Sequence, residues 1–393
     1  MKTIYLDHNA TTPLSGSALK AMTPYWQQKF YNPSSPYPAA LALREELEKT
    51  RNHLLALLGA GDNYDLIFTS GGSESNTLAI RGVRSPAHAG VAHYITSVSE
   101  HSSVGGNFRA LEREGFGVTF LEVDKEGRVD LEQLKRPLTQ ETRLLSIMAA
   151  NNETGVIQPL AEIAALAREK GALFHTDAVQ ALGKMPLLLQ EWQPDLLSFS
   201  AHKFHGPRGA GGLLIKKGTS LLPLILGGGQ EGGLRSGTEN IPAVMGMARA
   251  LEDALLNLDE KTNRLFALRN YLEKSLLDQI PGAFIHSGSA PRLCNTTSIG
   301  FEGVNAKGLV QQLAEKGIYA ATQAACGSSG GPSRVLLAQG IPLPLVLGTL
   351  RFSLGQSNFQ AQLDRVVEEL VSLIAKERQR SWLWQKRNKE NLL

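Results

Sequence analysis

The chain has 393 residues, 42 % of them hydrophobic and 20 % charged, with a formal net charge of +3. That is enough chain for one large globular domain and a smaller one, and the balanced charge excludes a general nucleic-acid or membrane-surface field. Only Cys294 and Cys326 are cysteines, the N-terminus lacks an apolar leader, and no apolar run approaches a membrane span of about 18 residues, so the expectation is a cytoplasmic protein without a disulfide framework.

Residues 1–13 read as an extended arm, Ile4-Tyr5-Leu6, followed by the turn cluster Asp7 to Pro13. Residues 39–58 have the apolar spacing of an amphipathic helix. Leu66-Ile67-Phe68 is a buried strand that runs through Thr69-Ser70-Gly71-Gly72-Ser73 into a further helix. Strand, Gly-rich turn and helix aim backbone N–H groups at a phosphate, with Ser73 adding a hydroxyl. A plain capped turn has the same pattern. The next strand, His93–Ser97, is followed by His101, which can stack on a flat ring and move protons, or simply cap a helix.

Gly117–Leu121 and Leu144–Met148 are further strands, the second leading to Asn151-Asn152-Glu153. Side-chain amides there suit a phenolic oxygen or a carboxylate, or form an ordinary turn. A helix over Leu160–Lys170 precedes a strand over Ala172–Asp177. Asp177 needs a cationic partner such as a protonated pyridine nitrogen, or it caps a helix starting near Ala178, with Gln180 beside it. The strand Asp195–Phe199 ends in Ser200-Ala201-His202-Lys203. A desolvated lysine at a strand end can form a Schiff base with an aldehyde, and Ser200 and His202 suit a phosphate. His202 and His205 have the helix-like spacing of a zinc pair, but no further ligands cluster nearby, and no metal is expected.

Strands alternating with helices predict an α/β fold with a mainly parallel sheet, its site at the carboxyl edge. After Lys203 come a turn and a further strand within Arg208–Ile215, a Gly-rich loop carrying Arg235 and Thr238, and a long helix from Pro242 to about Leu277. The remainder predicts a smaller α+β domain. It has strands at Asn295–Phe301, Ile318–Ala321 and Leu350–Leu354, a helix over Asn305–Lys316, and Cys326 in a loop of small residues, where a thiol is exposed and reactive. Arg351 is suited to a bidentate carboxylate contact, or is a surface arginine. The basic tail with Trp382 and Trp384 is expected to pack on the domain rather than on a nucleic acid. The expected boundaries are 14–257 for the large domain, and 1–13 with 258–393 for the small one.

Tyr5-Leu6-Asp7, Ala10-Thr11-Thr12-Pro13, Phe68-Thr69-Ser70-Gly71, Glu100-His101, Asn151-Asn152-Glu153, His175-Thr176-Asp177-Ala178-Val179-Gln180, Ser198 to Lys203, Arg235-Ser236-Gly237-Thr238, Ala325-Cys326 and Arg351 to Gly355 together resemble the cysteine desulfurases. These are pyridoxal 5'-phosphate enzymes of the class V aminotransferase family, with the aspartate-aminotransferase fold. The resemblance implies that Lys203 carries the cofactor as a Schiff base and that Asp177 pairs with the ring nitrogen. It implies that His101 stacks on the ring and moves protons, and that Gln180 faces the phenolic oxygen. Gly72, Ser73, Ser200 and His202 hold the phosphate, and Thr238 reaches it from the other subunit of a homodimer. Asn152 and Arg351 grip the carboxylate of L-cysteine, and Cys326 is the nucleophile that takes the sulfur as a persulfide and passes it to an acceptor protein, a cluster scaffold or a thiolation enzyme. The alternative is a selenocysteine lyase or another lyase or aminotransferase with the same cofactor. Gln230 stands where many members carry histidine, Gln323-Ala324-Ala325 replaces the usual Ser-rich segment before the cysteine, and the run after Cys326 is Gly-rich and one residue shorter than in the long-loop branch, which leaves the acceptor open.

Overall fold

The computed structural model describes residues 3–84, 92–322, 331–380 and 384. A seven-stranded sheet forms its centre, in the order Tyr64–Thr69, Gly211–Lys216, Leu196–Ser200, Leu173–Asp177, Thr142–Ser146, His93–Ser97, Gly117–Leu121. Gly211–Lys216 runs antiparallel to both neighbours, and the other pairings are parallel. Consecutive apolar residues on these strands face opposite ways, because side chains alternate along a strand. Leu66, Phe68, Ile95, Leu145, Phe174, Leu197 and Leu214 join one core, with the helices Pro38–Leu57, Leu160–Lys170 and Ile241–Leu255. Ile67, Tyr94, Leu144, Leu196 and Leu213 join a second core on the other face, with Gly72–Gly82 and Ser102–Arg113. A sheet covered on both faces explains why its strands read as continuous apolar runs. Each buried leucine adds about 1.5–3 kcal/mol.

A third core gathers Ile4 and Leu6 with Leu272, Ile299, Phe301, Leu350, Phe352, Leu363 and Val366. It lies beneath a three-stranded antiparallel sheet of Thr349–Ser353, Thr296–Phe301 and Ala283–Ile285. The extended arm is held there by parallel pairing of Ile4–Tyr5 with Ile318–Tyr319.

Three sequence expectations need correction. No helix follows Asp177, because Gly183 at φ +77° and then Pro186 interrupt the turn after Ala178. The next helix, Leu189–Trp192, has only four residues. The long helix from Pro242 is two helices, Ile241–Leu255 and Leu258–Gln279, broken where Asn257 turns left-handed at φ +52°. The strand placed at Leu144–Met148 spans Thr142–Ser146. Bonds from Ile147 N to His175 O and from Ala149 N to Asp177 O carry the chain on beside its neighbour.

Candidate active site

Because most strands are parallel, their carboxyl ends share one edge of the sheet, and the antiparallel Gly211–Lys216 begins there. Gly211 lies between Ser200 and Thr69 in register. A Cβ on it would stand 2.6 Å from Phe199 O and 2.7 Å from Gly71 Cα, so only glycine lets the Gly71-Gly72 turn close against the end of strand Leu196–Ser200. The cavity on this edge is lined by Gly72, Ser73, His101, Asn152, Asp177, Gln180, Ser200, His202, Lys203 and Arg351, along with Asn9, Asn76, Ser103 and Val179. These include ten of the twelve expected site residues. Thr238 lies on the exposed loop after Ser236 and does not line the cavity of its own chain. Cys326 lies outside the described residues.

Asp177 ends its strand and is buried. Its Oδ2 accepts from Asn76 Nδ2 at 2.7 Å and its Oδ1 from Val179 N at 2.9 Å. Asn76 Nδ2 also donates to Ser103 Oγ at 2.9 Å. Ser103 in turn gives both its N–H (3.2 Å) and its hydroxyl (2.7 Å) to His101 Nδ1. Since Nδ1 accepts twice, a neutral His101 carries its proton on Nε2. His101 caps the helix Ser102–Arg113 and also lines the cavity. Beside it, Glu100 is fully buried, and burial pushes its carboxyl well above the usual range; Oε1 accepts from Met148 N at 2.7 Å.

Lys203 Nζ donates to the main-chain oxygens of Asn9 (2.5 Å) and Ala10 (2.8 Å). Thr12 donates to His202 O through both N and Oγ1, at 3.0 Å each, which fixes the arm across the lysine loop. His202 is held neutral, its pKa pushed down to about 4 by burial and by the Lys203 cation. Its Nδ1 lies 3.0 Å from Thr11 Oγ1, whereas His205 Nδ1 lies 3.0 Å from Pro13 O. Among the described residues, no group of three or more His, Cys, Asp or Glu side chains could hold a metal ion.

Arg351 is buried by alternation along its strand: Leu350 and Phe352 enter the third core, and the guanidinium takes the opposite face. It donates to Asp7 Oδ1 at 2.6 Å and to Asn152 O at 3.0 Å, and its Nε has no hydrogen-bond partner among the described residues. A surface role for this arginine is thereby excluded. Asn9 joins these parts. Its N donates to Ser353 Oγ, its Nδ2 to Asn152 O and Thr296 Oγ1, and its main-chain oxygen accepts from Gln180 and Lys203. Asn9, Asn76, Ser103 and Lys184 were not singled out by sequence reasoning. Asn9 reads as one more turn residue, and its only signal was a place in the cluster Asp7 to Pro13.

The residues fit pyridoxal phosphate. An amine stands within one cavity with a buried carboxylate and an imidazole. The helix Gly72–Gly82 opens its N-terminal turn there, beside the Ser73 and Ser200 hydroxyls. A Cβ on Gly72 would meet Val179 Cγ2 at 2.6 Å, so the turn packs closely on the cavity wall.

Residues 4–366 match the family described as aminotransferase class-V. A cysteine desulfurase IscS of Methanosarcina thermophila is 41 % identical over 97 % of this chain and 94 % of its own. A solved NifS-like protein superposes with a TM-score of 0.89 at 35 % identity, over 95 % of this chain and all of that one. A solved SspA in complex with cysteine gives 0.79 at 32 % identity, over 90 % of this chain and 99 % of that one. The chain belongs to the class-V aminotransferase family and, within it, to the cysteine desulfurases.

Proposed function

We propose that this protein converts L-cysteine to L-alanine and transfers the sulfur, through a persulfide on Cys326, to an acceptor protein. The observation that carries the proposal is the meeting of Lys203, Asp177, His101 and Arg351 in one cavity at the sheet edge. When bound, pyridoxal phosphate supplies an aldehyde that captures an amine and a ring that accepts an electron pair from the substrate Cα. In this reading Lys203 holds that aldehyde and, once released, takes the Cα proton on Nζ. Asp177 keeps positive charge at the ring nitrogen, its own carboxylate oriented by Asn76 and Val179 N. Gly72, Ser73, Ser200 and His202 take the phosphate, and Thr238 completes that site from the partner in a homodimer. Gln180 faces the phenolic oxygen, and His101 flanks the ring with its Nε2 proton. Arg351 and Asn152 orient the substrate carboxylate.

The Cys326 thiolate forms an S–S bond to the substrate sulfur as the substrate Cβ–S bond breaks. The released electron pair stays on Cβ, which takes a proton and becomes the alanine methyl group. Ser333 donates to buried Glu153, next to Asn152, at 2.5 Å. The acceptor is a cluster scaffold or a thiolation enzyme in the cytoplasm, and we take residues 14–257 and 1–13 with 258–393 as the two domains.

Incubation with L-cysteine followed by mass spectrometry tests this reading. One added sulfur on Cys326, stoichiometric alanine, and a borohydride-stable label on Lys203 are expected. Cys294 provides the internal control, because burial pushes its thiol up to about 11 and leaves it unreactive at neutral pH. Undiminished sulfide release by Cys326→Ala would overturn the nucleophile assignment, and a colourless protein that binds no pyridoxal phosphate would overturn the whole.

A further inference from the structure

Lys184 is a second lysine at this site, and the reaction described above does not use it. The interrupted turn after Asp177 brings it under the cavity floor, where only 8 % of its surface is exposed. Its Nζ donates to Gln180 Oε1 at 2.6 Å and to Asn9 Oδ1 at 3.1 Å. Gln180 Nε2 donates to Asn9 O at 3.0 Å, the same oxygen that accepts from Lys203 Nζ. Two lysines therefore hang on one asparagine, one on its side-chain oxygen and one on its main-chain oxygen.

Two consequences follow from elementary chemistry. An ammonium offers only donors, so it fixes the oxygen of the Gln180 amide against itself and turns the NH₂ end toward Asn9 and the cavity. A flipped amide would set two donors face to face. A buried cation also disfavours positive charge on a neighbouring nitrogen. The groups acting on Lys184 from the packed elements are Lys203 and Arg351, which disfavour its charge, and Cys294, which favours it. Burial keeps the Cys294 thiol and the His8, His202 and His205 imidazoles in their neutral forms. Behind Lys184, a second cavity also lined by Lys203 carries Asp253, which is bonded to Ser17 and Arg249, and Lys261, which is bonded to Asp253 O. Burial, then the Lys203 cation, brings Lys184 down to about 7 while Lys203 is a free ammonium, and loss of the proton from the Lys203 nitrogen removes that repulsion and favours the Lys184 ammonium.

The geometry points to Lys184 as a positioning residue for the reaction: its ammonium locks the Gln180 amide donor toward the cofactor cavity and disfavours protonation of the Lys203 nitrogen. This rests on the reading that Lys203 carries the cofactor. The test is a visible-absorbance pH titration of the holoenzyme, which reads protonation at the Lys203 nitrogen and not turnover. Lys184→Met is expected to raise the midpoint by about 0.5–1 pH unit, and Lys184→Arg, which keeps the charge, to hold it at or below the wild-type value. Lys184→Gln removes the charge while keeping a polar group, and is expected to raise the midpoint too, should the methionine variant fail to fold. A midpoint in the charge-removing variants within about 0.2 unit of wild type would overturn the inference. Wild-type protein that takes up no pyridoxal phosphate would overturn both this inference and the functional reading, and colour tells the two failures apart.

Discussion

Replacing Arg351 by glutamine tests the substrate-carboxylate assignment. The guanidinium is 2 % exposed, spends two donors on Asp7 and Asn152 O, and keeps a buried Nε without a partner among the described residues. A group so placed has unspent donor capacity in a desolvated site. A hydrogen bond to a charged acceptor there contributes about 1.5–3 kcal/mol. At about 1.4 kcal/mol per factor of ten, losing it weakens binding of a carboxylate-bearing ligand about 10- to 150-fold. The assay compares L-cysteine with cysteamine, which has the same amine and thiol but no carboxylate, by the change in cofactor absorbance as each amine is captured. The preference for L-cysteine is expected to fall by that factor, with the cysteamine affinity little changed. Equal weakening of both ligands would refute the reasoning, and would mean that Arg351 acts only by bracing Asp7 and the arm.

Two further outcomes are expected. Glu231 binds Arg51 through both carboxylate oxygens (2.7 and 3.0 Å) and accepts from Phe68 N at 2.8 Å, so Glu231→Gln leaves the largely buried guanidinium to Glu48 and Leu66 O and costs about 1.5–3 kcal/mol in denaturant unfolding; a loss below about 0.5 kcal/mol would count against the pair. Burial lowers His175 to about 3 and His8, His202 and His286 to about 4, so the unfolded chain binds more protons than the folded one below the ordinary value of 6.5, and stability falls as pH drops from 6.5 toward 4; a flat stability–pH curve over that window would contradict the assignment.

Local pattern carried much of this protein. The strands His93–Ser97 and Gly117–Leu121 and the helix Leu160–Lys170 lie where alternation and spacing place them. The residues at strand ends, Asp177, Ser200 and Lys203 among them, meet because parallel strands must share an edge, a rule that needs no coordinates. The broken helix at Asn257 and the missing helix after Asp177 were not legible, since single backbone turns decide them against a favourable apolar pattern.

What the sequence by itself determined was therefore the mainly parallel sheet and the polar residues gathered along its carboxyl edge, both properties of spacing along the chain. Only the tertiary structure decided how those residues are held. Asn9 meets Lys203 across 194 positions and Asn76 meets Asp177 across 101, and no periodicity marks such pairs. The physical reason is that a buried polar group must find its partner in space, and that partner is chosen by how the sheets and the arm pack, not by its distance along the chain.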